Sequence, residues 1–362
     1  MNKRRLHVHA NRIEMVLMNH KAPARVTGGR VTPRTVQFHL QVAPTTRVAR
    51  VESLSEEIAL ALGARSARVT RTNGQLNVEV SREDSTSVNF LPLAAELLED
   101  GQLRRALEVP GTALLGLDVE GIPLLVRLAS PDVTHILIAG TTGSGKTEAV
   151  RTLLASLIYF QKPREIQLLL IDPKGSAFKQ FVGLPHLLAD PVKTVEGALE
   201  RLRWLEAEME RRQEQAISRP RIILVLDELA DLLTQGGQEM QVHLTRLAQR
   251  GRSAGISIIA CTQKPTAAAI GSLVRANFPV RLVGRVTSPE EARIATGLSG
   301  TGAEKLGGRG DFVLIAGGEK VRFQAAYLSP QEYDSFRRFV TMRAAPPAHF
   351  PGVRGLLGLL SR

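Results

Sequence analysis

Hydrophobic positions fall into two patterns along the chain. Near the start, Val36-Gln37-Phe38-His39-Leu40-Gln41-Val42 alternates apolar and polar residues, which predicts a strand with one face on a core. Leu54 to Leu62 carries helical spacing, with Ser53 or Ser55 as cap candidates and Gly63 as a stop. Ser66 to Val80 predicts a hairpin, with Ala67 to Thr70 and Leu76 to Val80 flanking the Asn73-Gly74 turn signal. A helical patch at Leu93 to Leu98 follows, then a second hairpin over Ala113 to Val126 that turns near Glu120-Gly121.

From Val133 to about Leu328 short apolar strands alternate with helical stretches. The strands are His135 to Ala139, Gln167 to Ile171, Ile222 to Leu226, Ile256 to Ala260 and Val280 to Val283. All but the first and last are near-continuous apolar runs, as a parallel sheet covered on both faces requires. Between them, Val195, Leu199, Leu202, Leu205 and Met209 mark one stripe of a helix whose other face is Arg and Glu. The expected fold class is α/β, a mostly parallel sheet preceded by a small α+β module. The expected boundaries are a module at 1–84, a linker and hairpin at 85–132, the main α/β domain at 133–345 and a tail at 346–362. That tail holds a short apolar run, Leu356 to Leu360.

Composition narrows the class. With 362 residues, 43% hydrophobic and 23% charged, the chain can bury a real core, which excludes a disordered protein or a fibrous rod. The net charge of +12, from 47 Lys+Arg against 35 Asp+Glu, favours polyanionic partners, nucleic acid first. The single cysteine, Cys261, excludes an internal disulfide and a cysteine-based zinc site, and reads as a small core residue. No apolar run approaches the roughly 18 residues of a spanning helix. The basic start is followed by His7, His9, Asn11 and Arg12 rather than the apolar stretch of a signal peptide. The expected location is cytoplasmic.

The sharpest chemical signal is Gly140-Thr141-Thr142-Gly143-Ser144-Gly145-Lys146-Thr147, a G-x-x-x-x-G-K-[ST] loop between a strand and an apolar-periodic helix. Its glycines let successive N–H groups face a β-phosphate, and the helix N-terminus adds positive potential. The expected nucleotide-contacting set is Thr142, Gly143, Ser144, Gly145, Lys146, Thr147 and Glu148. Lys146 reaches the β- and γ-phosphates, and the Thr147 hydroxyl suits Mg²⁺. About eighty residues on, the apolar strand Ile222 to Leu226 ends in Asp227-Glu228. Asp227 is placed for the Mg²⁺ shell and Glu228 for orienting and deprotonating a water, which argues for hydrolysis. Gln263, at the end of the strand Ile256 to Ala260, is the candidate contact to the γ-phosphate or its water.

With those residues in hand, the chain resembles the motor of the FtsK/SpoIIIE family of DNA translocases, within the FtsK–HerA group of hexameric P-loop ATPases. The resemblance is carried by His135 to Thr147, Ile171-Asp172-Pro173-Lys174, Pro185 to Leu188, Glu208 to Arg212 and Leu226 to Leu232. It continues through Arg246 to Gln249, Ala254 to Ile256, Thr262-Gln263 with Pro265, and Gly302 to Leu306 with Gly310-Asp311. It also reaches Pro23 to Gly29 and Leu54 to Gly63, and so covers nearly the whole chain in order. It implies a RecA-like ATPase core and a homo-oligomer, a hexameric ring that threads double-stranded DNA. It also implies a role for the first module in ring assembly and as a collar on the DNA. Arg252 matches the arginine this family inserts into the neighbour's site, with Arg250 as a rival. Where the family carries Ser-Ser-Lys, this chain reads Thr287-Ser288-Pro289, so the lysine is absent and Arg285 or Arg293 stands in for it.

Chromosome translocases of this family usually carry a membrane domain before the motor and a winged-helix domain after it, and neither fits this sequence. The reading is a compact relative or a trimmed chain, and a DNA pump of a mobile element or conjugative system is preferred. Lys174, Lys179 and Arg246 are candidate pore contacts, and Arg47, Arg50, Arg65, Arg68 and Arg71 make the first module basic without interleaved aromatics. The alternative is a coupling or packaging ATPase delivering DNA or protein to a membrane channel. That version needs a membrane partner and a peripheral position at the inner membrane.

Overall fold

The near-continuous apolar runs lie side by side in one sheet. The computed structural model describes residues 3–343, apart from 33–34, 65, 73, 83–86, 267–270, 272 and 274–275. The expected tail at 346–362, Arg65 and Asn73 therefore lie outside the described residues. The chain divides into two units, Met1–Ser87 with Val119–Gly121, and Val88–Asp118 with Ile122–Arg362.

The first unit runs α1 (Lys3–Asn19), β1 (Ala24–Val31), β2 (Thr35–Val42), α2 (Val48–Glu52), α3 (Ser55–Leu62), β3 (Ala67–Thr72) and β4 (Gln75–Ser81). Its strands form an antiparallel sheet in the order β1-β2-β4-β3. The period-two pattern of β2 puts Val36, Phe38 and Leu40 with Val78 and Val80 against Ile13 and Leu17 of α1 and Ile58 and Leu62 of α3. The alternate positions carry polar groups that satisfy one another. His39 Nδ1 and Asn77 Oδ1 lie 2.7 Å apart, and Arg68 Nε donates to Glu79 Oε2 at 2.7 Å. Helix α3 stops at Gly63, whose φ of 64° is left-handed and costs glycine little. Neither serine caps it. Leu54 is the N-cap, while the Ser53 and Ser55 hydroxyls donate back to the carbonyls of Arg50 and Glu52, which α2 supplies just upstream.

The second unit begins with α4 (Phe90–Glu99), α5 (Gly101–Leu107) and the hairpin β5 (Thr112–Asp118) and β6 (Pro123–Arg127). There follow β7 (Ile136–Ala139), α6 (Lys146–Phe160), β8 (Ile166–Ile171), α7 (Val195–Glu214), β9 (Arg221–Leu226), α8 (Leu229–Arg250) and β10 (Ile256–Thr262). It closes with β11 (Val280–Val283), α9 (Pro289–Thr296), β12 (Asp311–Ala316), β13 (Glu319–Ala325) and α10 (Pro330–Arg343). All nine strands make one sheet in the order β6-β5-β13-β12-β11-β7-β10-β9-β8. From β8 to β11 neighbouring strands are parallel. From β11 to β6 they are antiparallel, so the hairpin β5–β6 is the sheet's far edge rather than a lead-in to it.

Burial on both faces explains why β9 shows no alternation. Ile223 and Val225 belong to the cluster that includes Leu153, Leu154 and Leu157 of α6, while Ile222, Leu224 and Leu226 belong to the one with Leu202 and Leu205 of α7 and Leu244 and Leu247 of α8. Each such fully buried aliphatic side chain stabilises the fold by about 1.5–3 kcal/mol before entropy is counted. Because β7, β9 and β10 are parallel, their carboxyl ends meet at one edge of the sheet, the crevice where such sheets bind ligands. That edge holds the chemistry.

Candidate nucleotide site

Strand β7 ends at Ala139 and the chain turns sharply. Gly140 has φ 158°, and its N–H donates to the Thr262 carbonyl at the end of β10, at 3.2 Å. Gly145, at φ 93°, is the N-cap of α6, and a Cβ there would lie 2.4 Å from the backbone N of Gly310. The loop thus needs glycine for two separate reasons, its own conformation and the approach of another segment. That segment, 308–311, donates Arg309 N–H to the Gly143 carbonyl at 3.0 Å and Gly310 N–H to the Ser144 carbonyl at 2.8 Å. Thr141 is fixed from another side, its N–H and its hydroxyl both donating to the Arg285 carbonyl at 2.9 Å.

Lys146 opens α6 and Asp227 closes β9. The ammonium Nζ lies 3.1 Å from Asp227 Oδ1, with side-chain exposures of 4% and 9%. Burial alone would lower the Lys146 pKa, but Cys261, Asp227 and Glu228 outweigh it and hold it above its ordinary value. Cys261 is fully buried and its thiol is pushed up to about 12, so near neutral pH it is uncharged and the two carboxylates supply the attraction.

Glu228 follows Asp227 with φ 66°, a left-handed conformation unusual for a non-glycine residue. Its carboxylate is buried and anchored to the end of β10. Thr262 Oγ1 donates to Oε1 at 3.0 Å, and the Gln263 N–H donates to Oε1 at 3.1 Å and to Oε2 at 3.2 Å. The Gln263 side chain turns to the loop, its Oε1 accepting from Thr142 Oγ1 at 3.4 Å.

The fold therefore brings together Thr142 to Thr147, Asp227, Glu228 and Gln263. Glu148 is spoken for, since its carboxylate pairs with Arg151, which also donates to the carbonyls of Ser176 and Ala177. Arg252 is not brought in. It is exposed at the start of the turn into β10, whose seven residues run to Thr262, about 20 Å along the strand from the loop. Arg212 and Gln213 of α7 brace this turn. Arg212 donates to the Ala254 carbonyl at 3.2 Å, and Gln213 to the Arg250 carbonyl at 2.9 Å. Arg250 pairs back to Gln213. Of the two residues considered in place of the missing lysine, Arg293 pairs with Glu290 on α9. The Arg285 guanidinium lies beside the loop, 3.7 Å from where a Gly143 Cβ would be. Arg246 is bound to Glu206 at 2.8 Å, whereas Lys174 and Lys179 are exposed.

Three features of this site went unassigned in the sequence reading. Thr262 is one, though its place beside Gln263 at a strand end was a signal. The Gly310 backbone is another, present in the sequence as part of Gly310-Asp311 but with no contact to the loop assigned to it. The third is Asp172 after β8, whose Oδ2 accepts from the N–H groups of Ala177 and Phe178 at 2.7 and 3.3 Å.

Comparison with known proteins places the chain among relatives along most of its length. The FtsK alpha domain profile matches residues 1–81, and the FtsK/SpoIIIE family profile matches residues 96–220. The DNA translocase SftA of Bacillus subtilis (strain 168) is 30% identical over 360 residues, covering 92% of this chain and 37% of its own length. The DNA translocase FtsK of Staphylococcus aureus (strain Mu50) is 32% identical over 359 residues, 91% of this chain and 44% of its own. The chain thus spans less than half the length of these relatives. Among solved structures, the pCW3 conjugation coupling protein TcpA, in its monomer form with ATPgS, superposes with a TM-score of 0.62 at 18% identity, over 93% of this chain and 99% of its own. The cytoplasmic domain of the Thermomonospora curvata type VII secretion ATPase EccC gives 0.58 at 25% identity, over 66% of this chain and 32% of its own. No helix among the described residues is long and apolar enough to cross a membrane. With two matching family domains in order and translocase relatives aligned along most of its length, the chain belongs to the FtsK/SpoIIIE family.

Proposed function

We propose that this protein hydrolyses ATP to drive translocation along double-stranded DNA as a homo-oligomeric ring, a hexamer, in DNA transfer by a mobile or conjugative element. The observation that carries the reading is the buried meeting of Lys146, Asp227 and Glu228 at the end of a glycine loop. A hydrolytic site needs a phosphate cradle, a cation for the transferred phosphoryl group and a carboxylate for water, and this arrangement supplies all three. Lys146 binds the β- and γ-phosphates. Glu228 orients and deprotonates the attacking water, and Gln263 links that water to the loop.

The residues also fit Mg²⁺. Thr147 and Asp227 offer oxygen donors only, the kind a hard cation takes alongside phosphate and water oxygens. The Thr147 hydroxyl and the Asp227 carboxylate would hold it, and when bound it supplies charge neutralisation on the phosphates. Arg252, exposed and far from its own loop, is suited to complete a neighbour's site in the ring. The net charge of +12 suits a DNA partner held through its phosphates.

The test is steady-state ATP hydrolysis with and without linear double-stranded DNA, beside Lys146→Ala. Turnover stimulated several-fold by DNA and absent from the variant supports the reading, and a strand-displacement assay then measures movement. Hydrolysis indifferent to DNA would overturn the coupling to DNA, and no hydrolysis at all would overturn the enzymatic reading.

A further inference from the structure

Thr262 carries none of the catalytic roles above, yet its hydroxyl is bonded to the carboxylate of Glu228. It is 1% exposed at the last position of β10. A hydroxyl has one proton to give. The Lys264 N–H donates into Thr262 Oγ1 at 3.2 Å, filling an acceptor position, and the proton goes to Glu228 Oε1 at 3.0 Å. A second acceptor, the Lys264 carbonyl, lies 3.4 Å from the hydroxyl and is the poorer one beside a carboxylate.

We propose that Thr262 is a positioning residue that fixes which oxygen of Glu228 faces the reaction. This rests on the reading of Glu228 as the group that takes the proton of water. Oε1 carries the Thr262 hydroxyl and the shorter contact from the Gln263 N–H, whereas Oε2 carries only the longer contact, at 3.2 Å. Oε2 is therefore the oxygen with room for a water proton. Glu228 is also one of the residues lining a cavity of about 410 Å³, with Asp231 and Gln235 of α8, Lys174, Lys193 and Glu196. Two donors from consecutive residues stop the carboxylate from swinging about its last bond, which a flexible glutamate would otherwise do. The left-handed backbone at Glu228 adds to this, since a residue held at φ 66° must be over-determined by its surroundings. The same β10 terminus meets Thr142 through the Gln263 side chain, so the nucleotide loop and the base share one support.

The arrangement resembles a nucleophile–base–orienter relay, in which the third group touches no substrate but sets the geometry of the second. Its removal should slow the chemical step and leave nucleotide binding alone.

The experiment compares wild type, Thr262→Val, Thr262→Ser and Thr262→Ala for ATP turnover, and for affinity toward a fluorescent ATP analogue. Valine keeps the shape of threonine in the packed strand and removes the proton. The expected result is a kcat about tenfold lower in Thr262→Val with KM and analogue affinity within about twofold. Thr262→Ser returns to near wild-type kcat. In a Glu228→Gln background the valine change has no further effect. If Thr262→Val does not fold, the alanine variant carries the same comparison. Equal kcat in wild type and Thr262→Val, or loss of analogue affinity in step with kcat, would overturn the proposal. If wild type itself neither binds nor hydrolyses ATP, the functional reading fails rather than this refinement of it.

Discussion

His135 Nδ1 accepts the backbone N–H of Ile258 at 3.0 Å, across from Ala248, whose carbonyl lies 2.9 Å from Nε2. The first bond requires an unprotonated Nδ1, so Nε2 holds the ring proton and donates it to Ala248. A second proton has nowhere to go. Burial pulls the pKa of His135 down to about 4, and burial does the same to His186. In the unfolded chain both titrate near 6.5. As pH falls from about 6.5 toward 4, the unfolded state gains protons that the folded state refuses. Stability is complete above that window and declines through it, on the order of 3 kcal/mol per histidine by pH 4. Urea midpoints at pH 7, 6 and 5 should fall progressively, and His135→Asn should shallow the slope. A midpoint unchanged between pH 7 and pH 5 would refute this.

Lys146 and Asp227 should be more costly to separate than to remove together. Either single neutral replacement strands the other charge in a buried site, at a cost of about 3 kcal/mol or more. Lys146→Met combined with Asp227→Asn removes both members of the pair, leaves the Glu228 carboxylate on its donors from Thr262 and Gln263, and should recover part of that loss. Thermal unfolding of the two single variants and the double variant measures the coupling. Purely additive shifts would mean the pair contributes nothing as a pair.

Gly145→Ala should fail twice over. The new methyl would enter a left-handed backbone and sit 2.4 Å from Gly310 N. Gly318→Ala, at φ 82° with open space around it, meets only the backbone penalty of about 1 kcal/mol. The first should melt well below the second and lose fluorescent nucleotide binding. Equal melting temperatures would show that segment 308–311 yields without cost.

Arg252→Ala should bind nucleotide like wild type and lose turnover about a thousand-fold, the scale of an arginine supplied in trans. Lys146→Ala should lose turnover through its own loop. Mixing the two inactive variants should restore measurable hydrolysis, because some interfaces then pair an intact loop with an intact arginine. No recovery on mixing, with assembly confirmed by mass, would place Arg252 outside the neighbour's site.

The central elements were legible because their signals are local. A glycine loop between strand and helix, and an acidic pair closing an apolar strand, need no knowledge of distant chain. Helix α1 was not legible, since its buried stripe of His9, Ile13 and Leu17 is narrow and its remaining surface carries charge. In the antiparallel half of the sheet the hairpin β5–β6 and β11 were legible, whereas β12 and β13 were hidden for another reason. Strand β13 shows two exposed residues before its buried ones, so its place between β12 and β5 depends on partners far away in sequence. The cap of α3 went to Leu54 because a preceding short helix offered the two serines nearer acceptors, a competition that spacing alone does not reveal. Thr262 needed the carboxylate of Glu228 beside it before its hydroxyl acquired a meaning.

The backbone bonds from Arg309 and Gly310 to Gly143 and Ser144 also impose an order of events during synthesis. The nucleotide loop is made early, but the segment that shapes it emerges after more than a hundred and fifty further residues. Until then the carbonyls of Gly143 and Ser144 have no such partners, and β12 and β13 have not joined the sheet. A growing chain that has produced both the glycine loop and the acidic pair therefore still lacks a finished site, and nucleotide binding is expected to belong to the nearly complete second unit rather than to its first half.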